Sequence, residues 1–119
     1  MTNVLFVCSA NRLRSPTAEQ VFSSWPGVET DSAGISSGAS VLLSSEQIDW
    51  ADMIFVMEKT HRNKLVRRFR HHLKNKRVIC LNIPDDCEFM DPVLVRTLES
   101  RVGRFLARAA PAVREGTAS

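Results

Sequence analysis

The chain is predicted to be an α/β domain built on a parallel sheet flanked by helices in three layers. Three observations predict it. Four short strand-like runs, Val4–Val7, Val28–Ser32, Met53–Met57 and Val78–Leu81, recur along 119 residues. The first and third are apolar at every position, as expected of strands buried on both faces. The segments between and after them carry apolar residues at helical spacing, and such strand–helix alternation implies parallel strands joined by right-handed crossovers.

Each element follows in order. After the strand Val4–Val7, Ser15 is expected to cap a helix with Pro16 in its first turn. Ala18, Val21, Phe22 and Trp25 then fall on one face, and Pro26-Gly27 ends the helix. Val28–Ser32 is a short strand closed by Ala33-Gly34, and 35–45 (ISSGASVLLSS) reads as loop. Ser45 is placed to cap a short turn through Glu46 and Ile48 toward Trp50. After Met53–Met57 comes a basic helix, Lys59 to Lys74, whose stripe is Leu65, Phe69 and Leu73. Val78–Leu81 leads out through Ile83-Pro84. Asp91-Pro92 pairs an N-cap with a first-turn proline and opens a long helix through Leu94, Val95, Leu98, Val102, Phe105 and Leu106. One domain over 1–112 is expected, with 113–119 a frayed tail.

Composition narrows the class. Hydrophobic residues make up 44% and charged residues 24%, ordinary for a soluble globular domain. No apolar run approaches the roughly 20 residues that span a bilayer, so no membrane partner is expected. The opening residues lack a basic leader, and three cysteines form no disulfide framework, so a reducing cytoplasmic setting is expected. Net charge is +3 but unevenly spread: positions 59–77 hold nine Lys/Arg, all three histidines and no acid. The rest holds seven Lys/Arg against thirteen acids. That run is either a solvated face or a dock for an anionic partner such as RNA or an acidic protein. Only Phe69 interleaves it, too little aromatic surface for a single-strand platform. His71 and His72 lack partners at ligand spacing, so no metal is expected.

In open parallel sheets, ligands sit beyond the carboxyl ends of the strands. Cys8 falls there, as do Asp31, Glu58 and the NIPDD segment after the fourth strand. From Cys8 the chain reads Ser9, Ala10, Asn11, Arg12, Leu13, Arg14, Ser15. The N–H groups of such a loop can curl into a nest on the positive end of the following helix, a site for a tetrahedral oxyanion. The loop has no glycine and no Gly-Lys-Ser/Thr, which argues against a nucleotide loop. Instead it has a thiol at its floor, where the dipoles that hold phosphate also favour a thiolate. Arg14 is spaced to curl back and grip two phosphate oxygens, so the transferring group is neutralised without any cofactor. The chemistry follows: Cys8 attacks phosphorus in line, the ester oxygen leaves, and water frees the phosphocysteine. The leaving oxygen needs a proton, so a carboxylic acid must stand opposite. Asn11 holds the loop by side-chain bonds to backbone, and Ser15 can donate to the sulfur. The competing reading of Cys8 is a buried cysteine that merely ends a strand.

Cys8-x-x-Asn11-x-x-Arg14-Ser15-Pro16-x-Ala18-Glu19, with DSAG at Asp31–Gly34 and FVMEKTHRNKL at Phe55–Leu65, resembles the low-molecular-weight protein tyrosine phosphatases. The resemblance implies a four-stranded parallel sheet in the flavodoxin-like order 2-1-3-4, phosphocysteine chemistry and no cofactor. It makes Cys8, Arg14 and an aspartate the catalytic groups, with Ser9, Ala10, Asn11, Arg12, Leu13 and Ser15 around the phosphate. The implied substrate is a phosphotyrosine protein or a small phosphate ester. The sequence departs from the family in three places. The segment between SAG and VME is short. Ile35-Ser36-Ser37 and Asp86-Cys87 stand where aromatic walls are expected. The acid is ambiguous as well: Asp85 follows NIP directly but precedes Asp86 rather than proline, while the literal Asp91-Pro92 lies farther on and has a capping role. The order of preference is Asp85, Asp86, Asp91.

Two other readings compete. Cys80 and Cys87 are spaced as in thiol-dependent arsenate reductases on this fold, in which disulfides pass onward from a cysteine like Cys8. A non-catalytic phosphate- or RNA-binding module would use the basic helix as its contact. A monomer or weak dimer is expected.

Overall fold

The computed structural model describes residues 1–11, 13–84 and 88–109, with the side chains of 107–109 left aside. The elements are β1 (Thr2–Cys8), α1 (Arg14–Phe22), β2 (Val28–Gly34), α2 (Ser45–Trp50), β3 (Met53–Val56), α3 (Lys59–Phe69), β4 (Arg77–Cys80) and α4 (Pro92–Ala109). The four strands form one parallel sheet in the order β2-β1-β3-β4. β1 is central, and its register sets Cys8 opposite Gly34 and Val7 opposite Val56.

Alternation along β1 explains the layers. Val4, Phe6 and Cys8 face one core with Phe22 of α1 and Leu94, Leu98 and Val102 of α4. Leu5 and Val7 face the other with Ile48 of α2 and Leu65 of α3. Both sides are dry, so β1 and β3 read as unbroken apolar runs rather than alternating ones. Phe6 stacks between Phe22 and Phe55, with ring centroids 5.8 and 5.5 Å away.

Several boundaries differ from expectation. α1 begins at Arg14 and its N-cap is Leu13, without a side-chain cap. Ser15 therefore lies inside the first turn, where its hydroxyl turns to Cys8 instead of capping. Trp25 lies past the end of α1, in a turn closed by its N–H on the Phe22 carbonyl. Its ring meets Phe22 edge-on at 4.8 Å, and a Cβ on Gly103 would come within 3.0 Å of it. Ser44, not Ser45, caps α2 and accepts the Gln47 N–H, while the Gln47 side chain accepts the Ser44 N–H. α3 ends at Phe69 and passes into a 3₁₀ turn, Arg70–His72. That tighter turn keeps Leu73 against the core before Asn75, at φ 66°, redirects the chain into β4. The expected tail at 113–119 lies outside the described residues. Among the described residues no helix is long and apolar enough to cross a membrane.

Candidate active site

The site is built at the carboxyl end of β1, where the chain leaves the sheet before α1. Three backbone bonds shape it. The carbonyls of Cys8, Ser9 and Ala10 accept the N–H groups of Ile35, Ser36 and Ser40 at 2.9, 3.0 and 2.9 Å. Carbonyls engaged by the 35–40 segment are turned outward, which leaves the opposite side of the loop to N–H groups. The peptide between Ala10 and Asn11 shows this directly: its oxygen faces Ser40, and its N–H donates to Cys8 Sγ at 3.1 Å.

Asn11 takes the bend at φ 55°, a left-handed conformation that asparagine tolerates better than most side chains. It supplies in this loop what glycine supplies in nucleotide loops. Its amide oxygen accepts the Ser15 hydroxyl at 2.9 Å, and Ser15 Oγ is 3.0 Å from Cys8 Sγ. Cys8, Asn11, Arg14 and Ser15 are all buried. Leu13 closes the loop, its carbonyl accepting both the N–H and the hydroxyl of Thr17.

Arg14 is held at the edge of this nest. One guanidinium nitrogen, Nη1, donates to Glu58 Oε2 at 2.5 Å and to the Ile83 carbonyl at 2.8 Å. The Glu58 carboxyl is lowered from its ordinary value, first because Arg14 hydrogen-bonds it, with burial opposing and the charges of Arg14 and His61 assisting. Ile83 is itself fixed, because its N–H donates to the Met57 carbonyl at 2.8 Å. Arg101 of α4 donates to the carbonyls of Leu81 and Asn82 at 2.7 and 2.9 Å. The segment that leads toward Asp85 is thus tied to both β3 and α4.

The residues beyond the sheet sort differently than expected. Glu58 belongs to the site through Arg14. Asp31 lies within β2, and its carboxylate accepts the Ser32 N–H and the Gln47 side chain, which anchors α2. Glu19 accepts the Ser32 hydroxyl at 2.5 Å and so joins α1 to β2. Asp91 caps α4, accepting the Val93 N–H at 2.8 Å. It also borders a depression of about 400 Å³ with Ile83, Pro84 and Leu94. Cys80 is partly buried on the α3 side of the sheet, its Sγ 3.4 Å from Asn82 Oδ1. Arg12, Asp85, Asp86 and Cys87 lie outside the described residues.

One residue of this loop's surroundings was missed. His61 is buried, and its Nε2 is 2.8 Å from Ser9 Oγ. Its Nδ1 accepts the Glu58 N–H at 3.2 Å, the capping-box position at the start of α3. The signal was present in a Glu–x–x–His spacing directly after a buried strand, but the basic run masked it. Phe89 is 51% exposed, and the next residue, Met90, donates its N–H to Thr17 Oγ1 in α1 at 2.9 Å.

A parallel sheet in this order, with a cysteine loop opening α1 at its central strand, places the chain among α/β folds that solved phosphatases share. No family model matches the chain. A protein-arginine-phosphatase of Geobacillus stearothermophilus is 34% identical over 90 residues, which span 56% of this chain and 61% of the relative. The YwlE arginine phosphatase structure from the same organism superposes with a TM-score of 0.65 at 25% identity, covering 98% of this chain and 95% of that one. The tyrosine phosphatase Wzb of Escherichia coli K30, solved with phosphate, gives a TM-score of 0.73 at 19% identity over 89% and 96% of the two chains. The chain thus spans about three fifths of the curated relative's length and shares the fold of solved low-molecular-weight tyrosine and arginine phosphatases.

Proposed function

We propose that the protein is a cysteine-dependent phosphatase that takes a phosphoryl group from a phosphorylated protein side chain onto Cys8 and releases it to water. The observation that carries this reading is the focus on one sulfur: the Asn11 N–H points at Cys8 Sγ, Ser15 Oγ stands 3.0 Å away, and Arg14 is braced at the rim. In this reading Cys8 Sγ attacks phosphorus in line, and the S–P bond forms as the bond to the leaving nitrogen or oxygen breaks. The leaving atom takes a proton from a carboxylic acid, Asp85 first in order, then Asp86, then Asp91. Water then attacks phosphorus and gives its proton to that carboxylate. The S–P bond breaks, and inorganic phosphate leaves a regenerated thiolate. The loop from Ser9 to Leu13, Arg12 included, holds the equatorial oxygens with its amides, and Arg14 adds a bidentate grip. Ser15 and Asn11 keep the loop in shape. A reducing, cytoplasmic setting would keep the sulfur available.

The curated relative's name points to phosphorylated arginine of proteins as the substrate. The polar stretch Ile35–Ser37, which offers no aromatic face, accords with it. Phosphotyrosine is the second reading, favoured by exposed Phe89 beside α1. Arsenate reduction has less support: neither phosphatase relative above is named for it, and Cys80 is engaged with Asn82.

The test is turnover of matched phosphoarginine and phosphotyrosine peptides by the wild type and by Cys8→Ser, with mass spectrometry of quenched reactions. Turnover by the wild type alone, with phosphate found on the peptide that carries Cys8, is expected. Normal turnover by Cys8→Ser overturns the mechanism. Arsenate turnover coupled to thioredoxin and lost in Cys80→Ser would move the assignment to reduction.

A further inference from the structure

We infer that the outer face of α3 is a docking strip for an acidic segment of the phosphorylated protein substrate, an inference that rests on the phosphatase reading and extends it to substrate choice. α3 starts at the mouth of the site. Its N-cap, Glu58, holds Arg14, and Lys59 and Thr60 border a depression of about 350 Å³ with Asn82 and Pro84. From there the exposed Lys59, Arg62, Lys64 and Arg67 of α3, and Arg70 of the following 3₁₀ turn, surround the helix outside its buried stripe of His61 and Leu65. Among the described residues, no carboxylate forms an ion pair with any of these five. Among the described residues, His72 of the run pairs with Asp49.

A solvated helix face does not account for this placement. Lys59 and Arg62 occupy the first turn, where the positive end of the helix dipole disfavours cations. Lys59 and Arg62, Lys64 and Arg67, Lys64 and Arg68, and Arg67 and Arg70 are like-charged neighbours at i, i+3 or i, i+4, each pair repulsive in an isolated helix. Within α3 itself no acid offsets them; Glu58 at the N-cap is the nearest carboxylate, and it is engaged by Arg14. An anionic partner lying along the helix removes both penalties. The helix that carries the strip is also joined to the site wall, because its Arg68 donates to the Ile35 carbonyl at 2.8 Å and the Ile35 N–H donates to the Cys8 carbonyl. A phosphoryl group on Cys8 and an anionic segment on α3 therefore suit a single substrate chain. A protein segment fits better than RNA: the aromatic of α3, Phe69, packs half-buried on the core and leaves no stacking platform.

The test compares two phosphopeptides that carry the same phosphoresidue, one flanked by Asp and Glu and one by Ser and Ala, with p-nitrophenyl phosphate as the small substrate. At low salt the acidic peptide is expected to show a kcat/KM about tenfold higher, within the range of electrostatic steering. Arg62→Glu/Arg67→Glu and high salt should erase the difference while leaving p-nitrophenyl phosphate turnover unchanged. Should the double variant fail to fold, Arg62→Gln/Arg67→Gln serves in its place. Equal kcat/KM for the two peptides, or an acidic preference that survives charge removal, overturns the proposal. So does single-stranded polyuridylate displacing a labelled acidic peptide more effectively than polyglutamate, which would assign the strip to RNA. Binding of the unphosphorylated acidic peptide to Cys8→Ser, with and without the α3 substitutions, reads the strip independently of turnover. Loss of catalysis on every substrate would thus count against the phosphatase reading alone.

Discussion

His61 Nε2 lies 2.8 Å from Ser9 Oγ, so a buried histidine of α3 holds the start of the Cys8 loop from across the sheet end. Its tautomer follows from its other bond. Nδ1 accepts the Glu58 N–H, so Nε2 carries the proton and donates to Ser9. One imidazole therefore links the loop to the residue that orients Arg14. A buried hydrogen bond of this kind contributes about 1 kcal/mol. His61→Ala is expected to lower kcat/KM for p-nitrophenyl phosphate about five- to tenfold and to weaken inhibition by inorganic phosphate in parallel. His61→Gln, which keeps a donor, should recover part of both. Full activity in His61→Ala would reduce the residue to a helix cap.

Gly34 makes the second prediction. It pairs with Cys8 across β1 and β2, and a Cβ there would meet Ala39 Cβ at 2.4 Å and the Ser9 carbonyl at 2.6 Å. The Ser9 carbonyl is engaged by Ser36, so it has nowhere to retreat without turning the loop. Gly34→Ala is expected to destabilise the fold by roughly 1–3 kcal/mol, the usual range for overpacking, and to abolish most turnover. Adding Ala39→Gly relieves one clash and not the other, so thermal unfolding should show partial rescue with activity still low.

The Arg14–Glu58 pair sets a dependence on pH. The Arg14 hydrogen bond holds the Glu58 carboxyl below its ordinary value of 4.5. A carboxyl lowered on folding adds stability that is complete above the ordinary value and is lost as pH falls through the lowered one. The stability difference between wild type and Glu58→Gln should therefore be flat from neutral pH down to the ordinary glutamate range and shrink below it. Glu58 is 41% exposed, so the difference should stay under about 1 kcal/mol. Denaturant titrations at stepped pH measure it, and a difference that grew on acidification would contradict the pairing. Glu58→Ala leaves Arg14 without its brace, and kcat/KM should fall more than stability does.

Phe89 separates the two substrate readings. If it lies against an aryl ring, Phe89→Ala should reduce kcat/KM for a phosphotyrosine peptide by about three- to tenfold, in keeping with roughly 0.5–1.5 kcal/mol for an aromatic contact. The phosphoarginine peptide should be affected less. Equal losses on both would make Phe89 a general rim residue.

Much of this architecture was legible in the chain because β1 and β3 are buried on both faces and therefore spell themselves out as unbroken apolar runs. That Cys8, Asn11 and Arg14 share one loop was legible because they fall within seven residues between a buried strand and a helix start. What stayed hidden was whatever depended on distance in space. Ser15 looks like a cap until the helix is seen to start two residues earlier than expected, which frees its hydroxyl for the sulfur. Asp31 looks like a site carboxylate until β2 is seen to run on to Gly34. His61 is one of three histidines in a basic run, and only its burial against Ser9 sets it apart from His71 and His72.

The acid is the last and sharpest prediction. A proton donor matters in proportion to how poor the leaving group is, because a good leaving group departs without help. Asp85→Asn should slow p-nitrophenyl phosphate modestly and phenyl phosphate by about 10²- to 10³-fold, so that the slope of log kcat/KM against leaving-group pKa steepens. Asp86→Asn should change the slope little. Asp91 already accepts the Val93 N–H at the start of α4, so Asp91→Asn, still a competent cap, should leave both rate and stability near the wild type. Steepening in Asp86→Asn or Asp91→Asn with Asp85→Asn unaffected would move the proton to that residue. Equal losses on both substrates in all three variants would mean that the leaving group is protonated by none of them.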